Sequence, residues 1–464
     1  MLDFAMDRIT VADAAKRLAN RPGFALLDST GEHGDLARFS FIGVDPFATF
    51  QVIDGIAHWN GEPLAGEPLA LLRECLRAYD LPRGDGAFPF RGGVIGYLAY
   101  DFGKRLEKLA EPALKDHGLD ELRFDVYDLV LGFDRLSGEV RLFSSGFPET
   151  GDAARARHAK LRAEALIGWL SEAAPEGEGG SRLIGPWQSN FTPKAYEAAV
   201  SRVKDYILAG DIYQANIAQR FTCELSDGFD AFAFYETLRA ANPAPFGAFL
   251  RSGEAAIACS SPERFLSCRN GQVEARPIKG TARSNPDPAR DAAVAAGLLS
   301  SEKDRAENTM IVDLLRNDLS RVARPGTVKV PTLCGLETYE GLHHLTSVVK
   351  GELREGLDGL DLLAATFPGG SITGAPKLRA MDIITEIEGV ARGVYCGAIG
   401  YIGFDGDLDF NIAIRTVTLT PGRAQFSAGG GVTLLSDPTA EHAETLVKAD
   451  RIFKAFRRHA GGDA

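Results

Sequence analysis

The chain has 464 residues, of which 45% are hydrophobic and 25% charged, and its formal net charge is -12. This length suggests two or three structural units, and the composition is that of a globular protein with a large core. The acidic balance argues against general nucleic-acid binding, because no basic block offsets it.

The N-terminus and the cysteines both favour a cytoplasmic protein. The first eight residues include acidic side chains and no signal-peptide hydrophobic region, and no apolar run is long enough to span a bilayer. The six cysteines are scattered and form no CxxC pair, which disfavours a zinc site or a disulfide framework. We therefore expect reduced thiols and no binding to membranes.

Short strands are predicted for most of the N-terminal part. Residues 23–29 and 38–43 are strand-like and are punctuated by glycine. Residues 91–101 form a glycine-rich apolar strand, but the strand, GxGxxG and helix of a dinucleotide site do not surround it.

A helix and then a polar break end this part. Residues 152–172 are rich in Ala, Arg, Leu and Glu, which predicts a helix, and a Gly-rich polar stretch begins at residue 175. We therefore divide the chain into an N-terminal region 1–174, a linker 175–189 and a catalytic region 190–457.

The catalytic region opens with a well-marked helix. Thr192 is a predicted N-cap and Pro193 the first helical residue. Apolar residues at helical spacing continue the helix as far as Gly210, and residues 211–220 follow as an extended run.

Lys279 is the residue most suggestive of chemistry. It is followed by Gly280 and Thr281, so we expect it at the end of a strand, where a glycine turn lets the backbone approach a ligand. A lysine is a nucleophile only as the neutral amine, which requires desolvation or neighbouring positive charge. Taken alone, the short motif is more typical of a solvated surface lysine.

A helix predicted over residues 301–319 carries a carboxylate on its buried face. Its apolar stripe consists of Met310, Ile311 and Leu314. Glu307 lies three and four residues before the first two and shares their face. A buried carboxylate requires a neighbouring cation, either a bound ion or an arginine such as Arg305 or Arg316.

The last long helix is predicted from Asp437 and Pro438, an N-cap and first-turn proline, to about Phe456. One face of it carries Glu441, Glu444 and Lys448. A solvated Glu–Lys pair explains this spacing as well as a functional site does.

Two stretches could bind anions. Residues 410–419 alternate as one strand covered on both faces, which would make Arg415 a largely buried donor that requires a carboxylate or phosphate. Gly429, Gly430 and Gly431 follow the next predicted strand and either present N–H groups to an anion or form a turn.

A third stretch, residues 368–377, lacks the phosphate-loop pattern. It nevertheless places Ser371 and Thr373 just before a helix, a suitable edge for a carboxylate. Together these residues predict a site for magnesium and a small dicarboxylate.

The chain resembles the chorismate-utilising enzymes, the family of anthranilate synthase component I, isochorismate synthase and aminodeoxychorismate synthase component I. The matching motifs are residues 210–216, 261–265, 304–308, 310–314, 316–318, 374–377, 397–401 and 412–416. The resemblance is dense over residues 190–456 and looser before them. It implies an α+β fold in which two facing antiparallel sheets form a sandwich flanked by outer helices.

Lys279 resembles the aminodeoxychorismate-forming branch, because anthranilate synthases carry alanine at that position. The resemblance implies that Lys279 attacks C2 of chorismate with loss of the C4 hydroxyl, that Glu263 is the general acid, and that ammonia then adds at C4 and expels the lysine. The product, 4-amino-4-deoxychorismate, leads to 4-aminobenzoate and folate.

Further site residues follow from the resemblance. Glu307 and Glu444 would bind Mg²⁺, with Glu441 close by. Arg415 and Tyr401 would hold a substrate carboxylate, assisted by Gly280, Thr281 and Gly429 to Gly431. His344 matches the family histidine, as a proton carrier or as a neutral core residue.

The chain departs from anthranilate synthases in the stretches that bind tryptophan as a feedback inhibitor. The Asn-Pro-x-Pro-Tyr-Met stretch is Asn-Pro-Ala-Pro-Phe-Gly at residues 242–247, so Ser29 is expected in a vestigial tryptophan pocket. No glutamine-amidotransferase domain is evident, so ammonia is expected from a separate glutaminase subunit (component II) or from solution.

Three alternatives differ in their expected observations. Another synthase of the family would give a different product. A lysine Schiff-base enzyme with pyridoxal phosphate would be yellow and independent of magnesium. A catalytically silent subunit would bind chorismate without converting it.

Overall fold

The computed structural model of the protein describes residues 1–6, 9–31, 34–84, 86–174, 183–339 and 341–461. The helices in these residues are α1 (Val11–Leu18), α2 (Pro68–Leu76), α3 (Gly103–Leu106), α4 (Asp152–Ser171), α5 (Pro193–Leu208), α6 (Ala231–Ala241), α7 (Pro288–Ser300), α8 (Glu302–Ser320), α9 (Gly359–Thr366), α10 (Lys377–Glu388) and α11 (Pro438–His459).

The strands are β1 (Leu2–Ala5), β2 (Ala25–Asp28), β3 (Phe39–Gly43), β4 (Ala48–Ile53), β5 (Ile56–Trp59), β6 (Glu62–Leu64), β7 (Gly93–Leu98), β8 (Leu122–Tyr127), β9 (Leu129–Asp134), β10 (Val140–Ser144), β11 (Leu183–Ser189), β12 (Gln214–Leu225), β13 (Phe246–Ser252), β14 (Ala255–Ser261), β15 (Arg264–Arg269), β16 (Gln272–Ala275), β17 (Ile278–Arg283), β18 (Lys329–Tyr339), β19 (Leu342–Glu352), β20 (Gly374–Ala375), β21 (Ala398–Gly403), β22 (Leu408–Asn411), β23 (Thr416–Thr420) and β24 (Arg423–Val432).

These strands form two sheets of 12 strands each, whose neighbours pair antiparallel. The order in the first sheet is β1-β10-β9-β3-β2-β13-β14-β23-β24-β12-β11, with β20 also paired to β12. The order in the second is β17-β19-β16-β15-β22-β21-β7-β8-β4-β5-β6, with β18 also paired to β19.

The sheets face each other across a buried aromatic and aliphatic layer. The first sheet contributes Phe41, Val130, Ala248 and Ile257, and the second contributes Ile95, Tyr97, Ile399 and Tyr401. Helices α1, α4, α6 and α11 cover the outer face of the first sheet, and α2, α8 and α9 cover that of the second. The predicted α+β sandwich with outer helices is confirmed.

Side-chain caps fix the start of the three helices that were predicted most sharply. Thr192 accepts a hydrogen bond from the N–H of Ala195 at the start of α5. At the start of α8, Ser301 accepts a hydrogen bond from the N–H of Asp304. At the start of α11, Asp437 accepts one from the N–H of Ala440. Such caps satisfy N–H groups that the first helical turn leaves without partners, so the local sequence alone locates these helices.

Both halves of the chain contribute to both sheets, so the predicted regions are not separate bodies. Residues 175–182 of the predicted linker lie outside the described residues. The rest of it, Leu183–Ser189, is β11 and pairs with β12 at the edge of the first sheet. The division into regions at this point stays a prediction.

The prediction of one strand over residues 410–419 is wrong. β22 belongs to the second sheet and β23 to the first, so the chain crosses between sheets at residues 412–415. Arg415 has a φ of 51°, which interrupts the extended backbone. Residues of both strands are buried, so the sequence pattern of residues 410–419 resembles that of one buried strand although the backbone changes sheets.

A second crossover runs beside the first. The chain leaves β14 in the first sheet and enters β15 in the second through Pro262 and Glu263. The N–H of Ile412 donates to the carbonyl of Glu263 at 3.0 Å, and the N–H of Ser260 donates to that of Arg415 at 3.1 Å. The two crossovers therefore hold Glu263 and Arg415 on adjoining segments between the sheets.

No helix among the described residues has the length and apolar character required to cross a bilayer.

Candidate active site

Lys279 lies inside β17, at the edge of the second sheet, rather than at the end of a strand as predicted. The pairing of β17 with β19 shifts between Ile278 and Thr281, so Lys279 and Gly280 form an irregularity in the ladder. Gly280 has a φ of 84°, and a side chain there would bring its Cβ 3.0 Å from Cβ of Asp304 on α8. Glycine is required here to turn Lys279 inward next to α8.

Burial lowers the pKa of Lys279, and the neighbouring Lys448 ammonium lowers it further. The carboxylates of Glu307, Glu263 and Glu444 act in the opposite direction but do not restore the ordinary value. A lowered pKa increases the fraction of neutral amine near pH 7 and therefore favours nucleophilic behaviour.

Glu263 is buried at the β14–β15 crossover beside this lysine. The N–H of Ile278 donates to its Oε1 at 3.4 Å, and Ser371 forms a side-chain hydrogen bond with it. Burial raises the pKa of Glu263 to about 7, although the hydrogen bond from Ser371 and the charge of Lys279 oppose the increase. A carboxylic acid with this pKa can donate a proton near neutrality.

His344 also adjoins the lysine strand. It lies opposite Thr281 in the β17–β19 ladder, and its Nδ1 is 2.9 Å from Thr281 Oγ1. The side chain is buried, with 6% of the residue exposed. His344 and Thr281 are thus in contact, two residues along β17 from Lys279, and the role of His344 stays a prediction.

The three predicted metal ligands converge on one short segment of β24. A Cβ placed on Gly430 would lie 3.3 Å from Glu441 Oε2 and 3.5 Å from Glu444 Oε1. A Cβ on Gly431 would lie 3.6 Å from Glu307 Oε2. Across the described ranges, no group of three or more His, Cys, Asp or Glu side chains is arranged as a metal cage.

Lysines, rather than the arginines considered from the sequence, are the cations beside these carboxylates. Burial raises the pKa of Glu307, and Lys279 and Lys303 are the positive charges that oppose the increase. Arg316 instead pairs with Asp313 on its own helix at 2.7 Å. Lys448 pairs with Glu444 at 2.7 Å, so the predicted i,i+4 pair exists and also borders the site.

Gly429, Gly430 and Gly431 lie within β24 and neither follow it nor form a turn. They pair with Ala218, Ile217 and Asn216 of β12, while the pairing of β24 with β23 extends only as far as Phe426. Within the described residues this segment pairs with a strand on one side only, and Lys448 donates to the carbonyl of Gly429. Its backbone N–H groups could meet an anionic ligand. Close backbone approach explains the glycines, because a Cβ on Gly429 would lie 2.4 Å from the carbonyl oxygen of Ile217.

We expect Gly429→Ala to lower the free energy of unfolding by about 2–3 kcal/mol, because the clash is with strand backbone that cannot move aside. Denaturant unfolding of the purified variant measures this. Gly168→Ala is the matched control, since nothing lies within 4 Å of that position in α4. It should leave stability unchanged or raise it by about 0.5–1 kcal/mol. Equal stability of the two variants would contradict the proposed packing.

Arg415 is half-buried at the crossover between β22 and β23 and faces another arginine. Both guanidinium groups donate to Asn242 Oδ1, Arg415 at 3.4 Å and Arg451 at 2.7 Å. Burial, and then the charge of Arg451, lower the pKa of Arg415 to about 10, so it still carries its charge at neutral pH. Two adjacent guanidinium groups favour an anion between them, as predicted for Arg415.

Tyr401 does not accompany Arg415, which corrects the predicted pair. Its ring lies 4.6 Å from that of Phe90 in the layer between the sheets. Sequence reasoning missed Tyr395, which is buried. The N–H of the next residue, Cys396, donates to the carbonyl of Ala413 in the crossover between β22 and β23. The signal was a second tyrosine just before the 397–401 motif.

In the loop before α10, the two predicted substrate-binding residues, Ser371 and Thr373, have different surroundings. Ser371 contacts Glu263, as described above, and so borders the site. The hydroxyl of Thr373 donates to the carbonyl of Gly369 at 3.1 Å and is used within the loop. Lys377 ties the loop to α8 through Asp318 at 2.5 Å. Thr373 therefore shapes the loop instead of facing a ligand.

Ser29 lines a separate cavity of about 90 Å³, whose wall also includes Pro245, Phe246 and Tyr401. Its hydroxyl is 2.7 Å from the carbonyl of Phe39 and 2.9 Å from that of Pro245. Ser29 therefore contacts residues 242–247, the other stretch that corresponds to the tryptophan site of anthranilate synthases. That this cavity is a vestigial tryptophan pocket stays a prediction.

Comparison with known proteins agrees with this fold and site. A family model described as chorismate binding enzyme matches residues 24–454. Aminodeoxychorismate synthase component 1 of Escherichia coli (strain K12) is 40% identical over 453 residues, 95% of this chain and 95% of that protein. The protein of the same name from Salmonella typhimurium is 43% identical over 387 residues, covering 83% and 82% of the two chains.

A solved structure supports the same assignment. The crystal structure of anthranilate synthase component I from Streptococcus pneumoniae TIGR4 matches with a TM-score of 0.79 at 34% identity, over 89% of this chain and 92% of that one. Fold and site thus define an enzyme of the anthranilate synthase component I-like class. The chain belongs to the family of chorismate binding enzymes.

Proposed function

We propose that the protein converts chorismate and ammonia to 4-amino-4-deoxychorismate, as component I of an aminodeoxychorismate synthase. The observation that carries this proposal is the pairing of Lys279, whose pKa is lowered, with Glu263, whose pKa is raised to about 7. Burial favours the uncharged form of both groups, and a displacement of hydroxide requires an amine nucleophile and a protonated acid.

In the first displacement the Lys279 amine attacks C2 of chorismate. The ring double bonds shift, the C4–O bond breaks, and Glu263 protonates the departing hydroxyl to give water. The lysine nitrogen, positively charged after the attack, returns a proton to the Glu263 carboxylate. The result is a covalent adduct joined through Nζ.

In the second displacement ammonia adds at C4, the double bonds shift back, and the C2–N bond to Lys279 breaks. The amino group therefore occupies the carbon that carried the hydroxyl. The lysine regains its proton from the new nitrogen, directly or through Glu263, so the protein returns to its starting state. His344 positions Thr281 beside the lysine in this scheme.

Arg415 would hold one carboxylate of chorismate, supported by Arg451 and by the backbone amides of Gly429–Gly431. This follows from the two guanidinium groups that share Asn242. Chorismate has two carboxylates, and this site has arginine at one end and glutamate side chains at the other. The glutamate end can accept the second substrate carboxylate only if a cation lies between them.

We infer that Mg²⁺ is this cation. Carboxylate oxygens are the ligands that Mg²⁺ prefers, and Glu307, Glu441 and Glu444 border the same glycine segment. Gln214 Oε1, beside Gly431, is buried without a hydrogen-bond partner in the described part of the chain. Glu307 and Glu444 would bind the ion with Glu441 close by, and the ion would neutralise a substrate carboxylate.

Ammonia would come from a separate glutamine amidotransferase subunit or from ammonium in solution. The relatives named above are called component 1 of their synthases, which implies a partner component. The proposed activity requires no further group from this chain.

A product assay tests the proposal. The purified protein is given chorismate, Mg²⁺ and excess ammonium, and the product is analysed after adding an aminodeoxychorismate lyase. We expect 4-aminobenzoate. Fluorescent anthranilate instead would identify the protein as an anthranilate synthase and refute the role given to Lys279.

A further inference from the structure

Two of the three carboxylates at the glycine segment already have ammonium partners. Lys448 Nζ lies 2.7 Å from Glu444 Oε1 and donates to the carbonyl of Gly429 at 2.9 Å. Lys303 Nζ, on α8, lies 3.7 Å from Glu441 Oε1 on α11. These lysines occupy the oxygens that a divalent ion would require.

We propose that Lys448 and Lys303 are internal counter-cations of the metal site, and that a divalent ion binds by displacing their ammonium groups. The inference rests on the proposed function, because it takes the carboxylates to be metal ligands. It adds that metal binding is an exchange of cations, in which two lysines leave and one ion enters.

The depth of Glu441 explains why a cationic partner is required there. Glu441 is 5% exposed, and Ser436 donates to the same Oε1 that faces Lys303, at 2.6 Å. A carboxylate at this depth is costly without a cation. The lysines supply positive charge whenever the metal is absent, so the helices α8 and α11 can pack around the site in both states.

The lysines are also suited to leave. Their side chains are 45% and 46% exposed, so each ammonium can move into solvent while its aliphatic stem stays at the surface. Lysine is flexible and strongly hydrated, unlike the planar fork of arginine. A fixed arginine pair would hold the carboxylates more rigidly against an entering ion.

Calorimetric titration of metal-free protein with Mg²⁺ tests the exchange. Lys448→Met should bind Mg²⁺ about three- to fivefold more tightly than wild type, which is the effect of removing a half-exposed competing pair. Lys303→Met should show a smaller gain, about twofold, because its contact is longer.

Lys454→Met is the matched control. Lys454 pairs with Asp450 on the same helix at 2.8 Å with the same i,i+4 spacing, and the exposures are 46% and 45%, nearly those of Lys448 and Glu444. Its Mg²⁺ affinity should equal that of wild type. Metal-free Lys448→Met should also melt below Lys454→Met, and saturating Mg²⁺ should remove the difference.

Glu307→Gln separates the two levels of the proposal. If Glu307→Gln weakens Mg²⁺ binding while Lys448→Met binds as wild type or more weakly, the metal site stands and the cation exchange is wrong. If neither wild type nor Lys448→Met binds Mg²⁺, or if Glu307→Gln binds normally, the metal site itself is wrong and the exchange with it.

Discussion

Lys279→Ala is expected to lose formation of 4-amino-4-deoxychorismate by about a thousandfold or more, because the proposed covalent adduct forms through its amine. Any residual product should be anthranilate, since ammonia can then attack C2 directly. Coupled assays for 4-aminobenzoate and fluorescence for anthranilate distinguish the two products.

A control lysine is available in the neighbouring strand. Lys350 of β19 pairs with Glu274 at 3.1 Å with a side chain 55% exposed, and Lys350→Ala should keep wild-type turnover. Turnover of Lys279→Ala within about tenfold of wild type would show that the lysine is not the nucleophile.

Glu263→Gln is expected to lower kcat by about 100- to 10,000-fold, the range typical of removing a general acid. Glutamine preserves the size of the side chain but cannot protonate the leaving hydroxyl. Glu352→Gln, at a surface pair with Arg324, is the matched control and should leave kcat unchanged. A loss below about threefold in Glu263→Gln would assign the proton to another group.

The pH profile should identify Glu263 independently of its removal. Glu263 must be protonated to act, so wild-type kcat should decline as pH rises through about 7, its raised pKa. The Ser371 hydrogen bond favours the carboxylate, so Ser371→Ala should raise this pKa further and move the decline to higher pH. A decline that moves to lower pH in Ser371→Ala would contradict this assignment.

Local signals predicted the helices well. Thr192, Ser301 and Asp437 cap their helices through contacts within three residues, so the sequence contains everything that decides where they start. The family motifs likewise identified the α+β sandwich, which neither composition nor periodicity could specify.

Long-range geometry accounts for the errors. The break at Arg415 depends on a positive φ and on which sheet each flanking strand joins, and neither affects the alternation of residues 410–419. Glu307 is accompanied by Lys279 from a strand 28 residues earlier, a neighbour that helical spacing cannot reveal. The 397–401 motif contains Tyr401 and not Tyr395, and only the fold brings the chain next to Tyr395 to the crossover at Ala413.

The most direct test of the account is the mass of the protein after exposure to chorismate and Mg²⁺ without ammonia, followed by acid quench and peptide mapping. We predict a fraction heavier by one chorismate less one water, with the added mass on the peptide that contains Lys279 and absent from Lys279→Ala. An enzyme that is active with ammonium, yet forms no such adduct or carries it on another residue, would contradict the covalent lysine mechanism.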